Sequence, residues 1–300
     1  MTKRLKFLRP LLAFGAAVGA SSCTSTASVN SLDLAQSVEA RGCGQLPPGS
    51  AATMVILEPA TNTILTCNPS RAHLRFVPAS TFKIAHTLIA LETGAIADIH
   101  ERFAWDKRDR GLPAWNHDLD VAGAVSVSAV WVFQAIAGRV GFEKETEWVQ
   151  KLDYGNEAIG NASDLKHFWL SGPLKISAME QVNFLYRLNA RKLSASTDAV
   201  AGTLEALALG RTTRGDQVYG KTGAMLPIDD EGFLRKEATG LLHSGEERTG
   251  WFVGWIDRSQ QDGGPIYFAL NLDLSLPDAM AARTRMAYGV LKANGVAVPE

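Results

Sequence analysis

Two residues three apart, Ser80 and Lys83, open an apolar helical pattern that runs through Phe82, Ile84, Leu88, Ile89 and Leu91. On a helix that spacing sets both side chains one turn apart on one face, so the amine can reach the hydroxyl. Such a contact can make a nucleophile of the serine. An S-x-x-K spacing arises by chance about once in a chain of this length, and a capped helix start with a solvated lysine would look the same. Pro78-Ala79 upstream and the apolar neighbours of Lys83 favour the chemical reading. A second element, Lys221-Thr222-Gly223, closes an apolar strand-like run. It offers a cation for the nucleophile's surroundings, a hydroxyl for a carboxylate, and a bare position where a ligand can lie against the strand.

The elements that must position these groups follow from periodicity and turn chemistry. Thr53–Leu57 and Thr63–Cys67 read as a hairpin around Pro59-Ala60-Thr61-Asn62. Helices are expected over 80–91, with Gly94 as the stop, and over 128–139, 143–152, 177–190, 198–209 and 279–293. Ser177-Ala178-Met179-Glu180 is a capping box. Strands are expected over 217–222, 250–256 and 265–273. Strands at both chain ends with helices between them predict an α/β (α+β) fold. Its central antiparallel sheet (about 45–96 and 211–300) is flanked by helices and carries an inserted all-helical lobe (about 97–210), with the site in the cleft.

Composition narrows the function. The 300 residues are 46% hydrophobic and 20% charged, with 30 Lys+Arg against 31 Asp+Glu, so no basic field exists for nucleic acid or an anionic membrane. Residues 1–22 pair Lys3, Arg4, Lys6 and Arg9 with an apolar run, which reads as a signal peptide. Without those four cations the balance is 26 against 31, or about −5 for residues 23–300, read as one domain. Cleavage after Ala20 competes with lipid attachment at Cys23. No later stretch reaches the ~18 apolar residues of a transmembrane helix. Cys43 and Cys67 remain as a pair for an oxidising compartment, joined or as two free thiols. None of the six histidines stands in a zinc-binding spacing, so no metal is expected.

S-x-x-K with K-T-G marks β-lactamases and penicillin-binding proteins, with an S-D-N between them in class A enzymes. This chain has no S-D-N and carries Ser128-Ala129-Val130 instead. Here it resembles the class D, oxacillinase-type serine β-lactamases. The resemblance continues through Pro78-Ala79-Ser80-Thr81-Phe82-Lys83, Trp105-Asp106, Trp115-Asn116, Tyr154-Gly155-Asn156, Phe168-Trp169-Leu170, Gly172-Pro173-Leu174-Lys175-Ile176-Ser177, Lys221-Thr222-Gly223 and Gly250-Trp251-Phe252-Val253-Gly254-Trp255. These come in the family's order and cover about 50 to 295.

The resemblance implies a penicillin-binding transpeptidase-like fold and hydrolysis of the β-lactam amide through a Ser80 acyl-enzyme. It makes Lys83 a carboxylated general base (N6-carboxylysine formed with CO2), a reaction that needs a neutral amine, which apolar surroundings favour. Trp169 would bind that group. Ser128 with Lys221 would pass a proton to the leaving nitrogen, and the N–H groups of Ser80 and Ala224 would form the oxyanion hole. Thr222, Gly223, Val130, Trp131, Leu170 and Arg283 would contact substrate, with Arg285 the alternative to Arg283. Tyr154-Gly155-Asn156 reads as a brace for the loop carrying Trp169. His86 stands where the family usually has Asn and reads as a partly buried polar residue on the helix flank. The segment from Ala224 to Thr249 is longer than usual and rich in Asp and Glu, which bears on substrate range. The competing functions are a wall-building transpeptidase or carboxypeptidase, which normally has Asn where Val130 stands, and a β-lactam sensor that acylates once. The partner is a small β-lactam, and whether the chain forms a homodimer stays open.

Overall fold

The computed structural model describes residues 1–2, 36–234, 248–259, 262–275 and 278–300. Positions 3–22 of the expected signal segment, Cys23 and positions 235–247 of the long acidic segment lie outside the described residues. The chain divides into Met1–Ser31 and Leu32–Glu300, and the architecture below is that of the second unit.

Its strands are β1 (Gln36–Glu39), β2 (Ala52–Glu58), β3 (Thr63–Cys67), β4 (Arg102–Phe103), β5 (Leu119–Asp120), β6 (Ala208–Arg211), β7 (Gln217–Ala224), β8 (Thr249–Asp257) and β9 (Ile266–Asp273). Its helices are α1 (Pro69–Ala72), α2 (Lys83–Glu92), α3 (Val121–Ser126), α4 (Val130–Val140), α5 (Phe142–Lys151), α6 (Ala178–Asn189), α7 (Thr197–Ala206) and α8 (Ala279–Ala293). Seven strands form one sheet in the order β1-β3-β2-β9-β8-β7-β6, and the stretch expected to be all-helical is not, since β4 pairs with β5 inside it. Every neighbouring pair in the large sheet is antiparallel except β1 with β3. The mixed edge arises because β1 precedes the β2–β3 hairpin and lies beside its second strand.

The central strands read as continuous apolar runs because both their faces are buried. Alternate residues serve two cores: Val55 and Leu57 of β2, with Trp251, Val253 and Trp255 of β8, join the cluster containing α2, α4, α5 and α6. Met54 and Ile56, with Phe252 and Ile256, face the second cluster, to which α8 contributes Ala287, Val290 and Leu291. The β2–β3 hairpin turns where expected, with Asn62 in the left-handed region at φ 51°.

Cys43 and Cys67 are joined in a disulfide, Cα–Cα 5.5 Å, which answers the question their sequence left open. Three expected helices have different ends, the one expected from Ser80 beginning at Lys83 after a 3₁₀ turn over Ala79–Phe82. The helix expected over 198–209 ends at Ala206, because Ala208 leaves to pair with Tyr219. The helix expected from 128 begins at Val130, because Ser128 itself takes φ 60°.

Candidate active site

Ser80 lies in a short 3₁₀ turn, Ala79–Phe82, that leads directly into α2. Ala79 is held at φ 49°, a conformation that L residues rarely adopt and that persists only where the surroundings impose it. Three contacts impose it here. Trp251 Nε1 donates to the Val77 carbonyl at 2.9 Å, Thr81 Oγ1 donates to the Pro78 carbonyl at 2.8 Å, and Gln181 Nε2 of α6 donates to Thr81 Oγ1 at 2.8 Å. The fourth restraint is steric. A Cβ on Gly223 would stand 2.9 Å from the Pro78 oxygen and 3.1 Å from Thr81 Cγ2. The bareness of Gly223 is therefore already required by the packing of β7 on the serine turn.

Lys83 Nζ donates to Ser80 Oγ at 3.0 Å. Its side chain is fully buried, 5.1 Å from the Phe133 ring centroid. Burial first, and the Lys221 charge second, hold its pKa well below the ordinary lysine range. Both effects favour the neutral amine, the form that can act as a base on the hydroxyl it touches.

Ser128 approaches from the turn between α3 and α4. Its backbone at φ 60° is locked by Ser128 N to the Val125 carbonyl at 3.2 Å, and Trp115 Nε1 donates to the Val127 carbonyl at 2.9 Å. Lys221 Nζ hydrogen-bonds Ser128 Oγ and donates to the Thr222 carbonyl at 3.0 Å. Burial and the nearby Arg283 cation bring the Lys221 pKa down to about 7, so its ammonium and amine forms are close in energy at neutral pH. Met225 N donates to the Thr249 carbonyl of β8, so by strand alternation the Ala224 N–H points to the opposite edge of β7. β6 covers that edge only from Gln217 to Tyr219. The structure thus brings Ser80, Lys83, Ser128, Lys221 and Gly223 together. A cleft of about 270 Å³ opens beside Lys221 and Thr222, walled by Val125, Ser126, Leu209 and Thr284.

Behind this group lies an aromatic floor. Phe82 is stacked on Trp169 at 6.0 Å and meets Tyr154 edge-on at 5.3 Å. Val130 and Leu170 belong to the same core cluster. The Trp169 loop is braced from the Tyr154-Gly155-Asn156 turn, where Asn156 Nδ2 donates to the Pro173 carbonyl at 2.8 Å and Lys175 N donates to Asn156 Oδ1 at 2.8 Å. Trp169 Nε1 is fully buried and has no acceptor among the described residues. An orphaned indole N–H in the core that holds a neutral lysine fits a carboxyl group on Nζ.

Two residues differ from expectation. His86 is fully buried, and Glu145 of α5, also fully buried, places Oε1 3.5 Å from its Nε2. Glu145 went unnoticed in the sequence although the spacing carried a signal: it shares the buried face of α5 with Trp148 and Val149. Trp131 stands apart from Ser80 and Lys83. Its indole donates to the Trp115 carbonyl at 3.1 Å, and its ring lies under the Arg110 guanidinium at 4.9 Å. It lines a separate cavity of about 420 Å³ with Asp106, Arg110, Gln134, Lys166 and Asp230. The start of the acidic segment folds over this cavity, Phe233 packing on Arg110 and Arg108.

On α8, Arg283 is the arginine that acts on Lys221. Its Nη1 donates to the Met280 carbonyl at 2.9 Å, while its buried Nε has no partner among the described residues. Arg285 is exposed. Among the described residues no three His, Cys, Asp or Glu side chains gather as a metal site, and no helix is long and apolar enough to cross a membrane.

Residues 52–292 match the penicillin-binding-protein transpeptidase domain family. Beta-lactamase OXA-5 of Pseudomonas aeruginosa is 34% identical over 244 residues, 81% of this chain and 84% of that one. Beta-lactamase OXA-48 of Klebsiella pneumoniae is 34% identical over 227 residues, 76% of this chain and 77% of that one. A solved class D β-lactamase, YbXI from Nostoc, superposes with a TM-score of 0.74 at 31% identity, covering 85% of this chain and 98% of that one.

Proposed function

The chain belongs to the class D β-lactamases, within the penicillin-binding transpeptidase family, and from that membership we propose the following chemistry for its residues. It hydrolyses the amide bond of penicillin-type antibiotics and so confers β-lactam resistance. The observation that carries the reading is the 3.0 Å contact between Ser80 Oγ and the fully buried Lys83, whose pKa burial lowers well below the ordinary lysine range.

Ser80 attacks the β-lactam carbonyl as Lys83 takes its proton. The N–H groups of Ser80 and Ala224 receive the charge that develops on the carbonyl oxygen. Ser128 passes a proton to the leaving nitrogen and recovers one from Lys221, whose pKa near 7 suits it to both directions. A carboxyl group on Lys83 Nζ, held by the free Trp169 N–H, would supply an anionic general base for acylation and for activating the deacylating water. Thr222 and Arg283 bind the substrate carboxylate, Gly223 lets the substrate lie along β7, and Val130 and Leu170 keep the base dry. Trp131 acts from the outer wall of α4.

Residues 1–22 serve as the signal peptide of a periplasmic enzyme, with residues 23–300 as one catalytic domain. The Cys43–Cys67 disulfide supports an oxidising compartment. The mass of the exported protein separates cleavage after Ala20 from lipid attachment at Cys23.

Steady-state hydrolysis of a chromogenic cephalosporin tests the reading. Many turnovers per enzyme are expected. A single burst followed by a stable acyl adduct would make the protein a sensor or transpeptidase instead.

A further inference from the structure

Lys83 has two buried ionisable neighbours that the chemistry above does not use. His86 follows it by one turn on α2, and Glu145 meets His86 from α5 with Oε1 3.5 Å from Nε2. Neither side chain has a hydrogen-bond partner among the described residues, their mutual 3.5 Å approach included. Burial, then the Lys83 charge, lowers the His86 pKa to about 3, and burial raises Glu145 to about 8. Alone, neither would ionise in this core. These shifts put the pair's proton on Glu145 facing a neutral imidazole; moved to His86 it would make an ion pair of the same zero net charge. The two forms differ in the direction of their dipole.

The imidazole is the member nearer the reactive groups. Its ring meets Trp169 edge-on at 5.2 Å and lies 5.5 Å from Phe133, the same ring that flanks Lys83 Nζ at 5.1 Å. Lys83 acts electrostatically on His86, whereas Glu145 feels only its burial. The titratable groups facing His86 are Lys83 from its own helix and Glu145 from α5. Phe133 of α4 and Trp169 are neutral, and Lys221 of β7 acts on Lys83.

We propose that His86, backed by Glu145, is a positioning residue for the general base: the pair keeps its proton on Glu145 while Lys83 is a free amine and passes it to His86 when CO2 carboxylates Lys83. This rests on the reading of Lys83 given above. In that step the Nζ–C bond forms as one C–O π bond of CO2 opens, and one Nζ proton leaves to solvent. The pocket gains one negative charge. Within the pair, the Glu145 O–H bond breaks as a His86 N–H bond forms, so its net charge stays zero while its positive end turns toward the new anion. The Asn that the family usually carries at this place offers only a fixed amide dipole.

The test is ¹³C NMR of the purified full chain titrated with ¹³C-bicarbonate across pH, alongside ¹⁵N spectra of its histidines. In wild type, bicarbonate should give a carbamate carbon signal and move the His86 ring nitrogens toward imidazolium shifts. In Glu145→Gln and His86→Asn, half-occupancy should need about tenfold more bicarbonate, the equivalent of one pK unit of differential interaction. Acid loss of the signal should begin at higher pH in both. If wild type gives no carbamate signal, the reading of Lys83 falls and this inference with it. If the signal is present but the His86 nitrogens do not move, or a folded E145Q protein matches wild type in half-occupancy, the inference alone falls. Should both variants fail to fold, the wild-type histidine shifts decide.

Discussion

At the scale of single residues, the proposed nucleophile and the proposed carboxylate-binding arginine should give different kinetic signatures when removed. Ser80→Ala should lower turnover at least about a thousandfold without altering the circular dichroism spectrum, since a lost covalent nucleophile usually costs that much. A smaller loss would remove Ser80 from the mechanism. Arg283→Ala should raise KM for carboxylate-bearing substrates more than it lowers kcat, because a guanidinium–carboxylate contact is shared by ground and transition states. Arg285→Ala should leave both constants within about twofold, as surface substitutions away from a site usually do. The reverse pattern would shift the binding role by two residues along α8. At this scale much of the site was legible in the sequence, because Ser80, Lys83, Ser128 and Lys221 sit in short ordered motifs. Glu145 was not, since an acid among Glu143, Glu147 and Lys144 looks like any solvated helix face until the 3.6-residue period is counted against Trp148.

At the scale of elements, the site depends on two strained turns being pressed into shape by their neighbours. β7 lies against the Ser80 turn through the missing side chain of Gly223, with the Pro78 oxygen 2.9 Å from where a Cβ would be. Gly223→Ala should therefore separate strand from turn by a few tenths of an ångström. A stability loss of about 1–3 kcal/mol is expected in denaturant titration. The kcat should fall about tenfold or more, since displacements below 1 Å disturb reacting geometry. A protein with unchanged melting and kcat would show that the turn yields freely. The same turns mark where periodicity misled. Ser128 belongs by pattern to a helix that it does not enter, because its φ of 60° is imposed by the Trp115 and Val125 contacts. β1 and β6 carried little pattern, being four-residue edge strands that bury no complete face.

At the scale of the whole molecule, buried ionisable groups tie stability to pH. Folded Lys221 titrates at about 7 against an ordinary 10.5, so between these values the unfolded chain binds a proton that the folded chain refuses. Stability then rises with pH through that window. Glu145 runs the other way between 4.5 and about 8, where the folded chain holds the extra proton. Above 10 the tyrosines Tyr267 and Tyr288, pushed up to about 12, again favour the folded state at the lower pH. Thermal melts should therefore show their clearest rise from pH 8 to 10, and Lys221→Met should reduce that rise without abolishing it, because Lys83, also lowered by burial, adds to it. Reducing the Cys43–Cys67 bridge, which closes a 24-residue separation on the α8 side of the sheet, should cost about 3 kcal/mol and spare kcat. A kcat that fell with reduction would link the two faces of the sheet.

The middle of that sheet joins β2 to β9, and Arg71, just after the first hairpin, donates to Asn271 across 200 residues of chain. In a chain emerging from the ribosome β2 can pair with β3 at once, but its other edge has no partner until β9, the last strand, has been made. The chain's slowest step is a closure between the two ends of the polypeptide, and loops that long form late. A chain whose sheet closes only when its last strand arrives would stay open through most of its synthesis, the condition that the export proposed above would require.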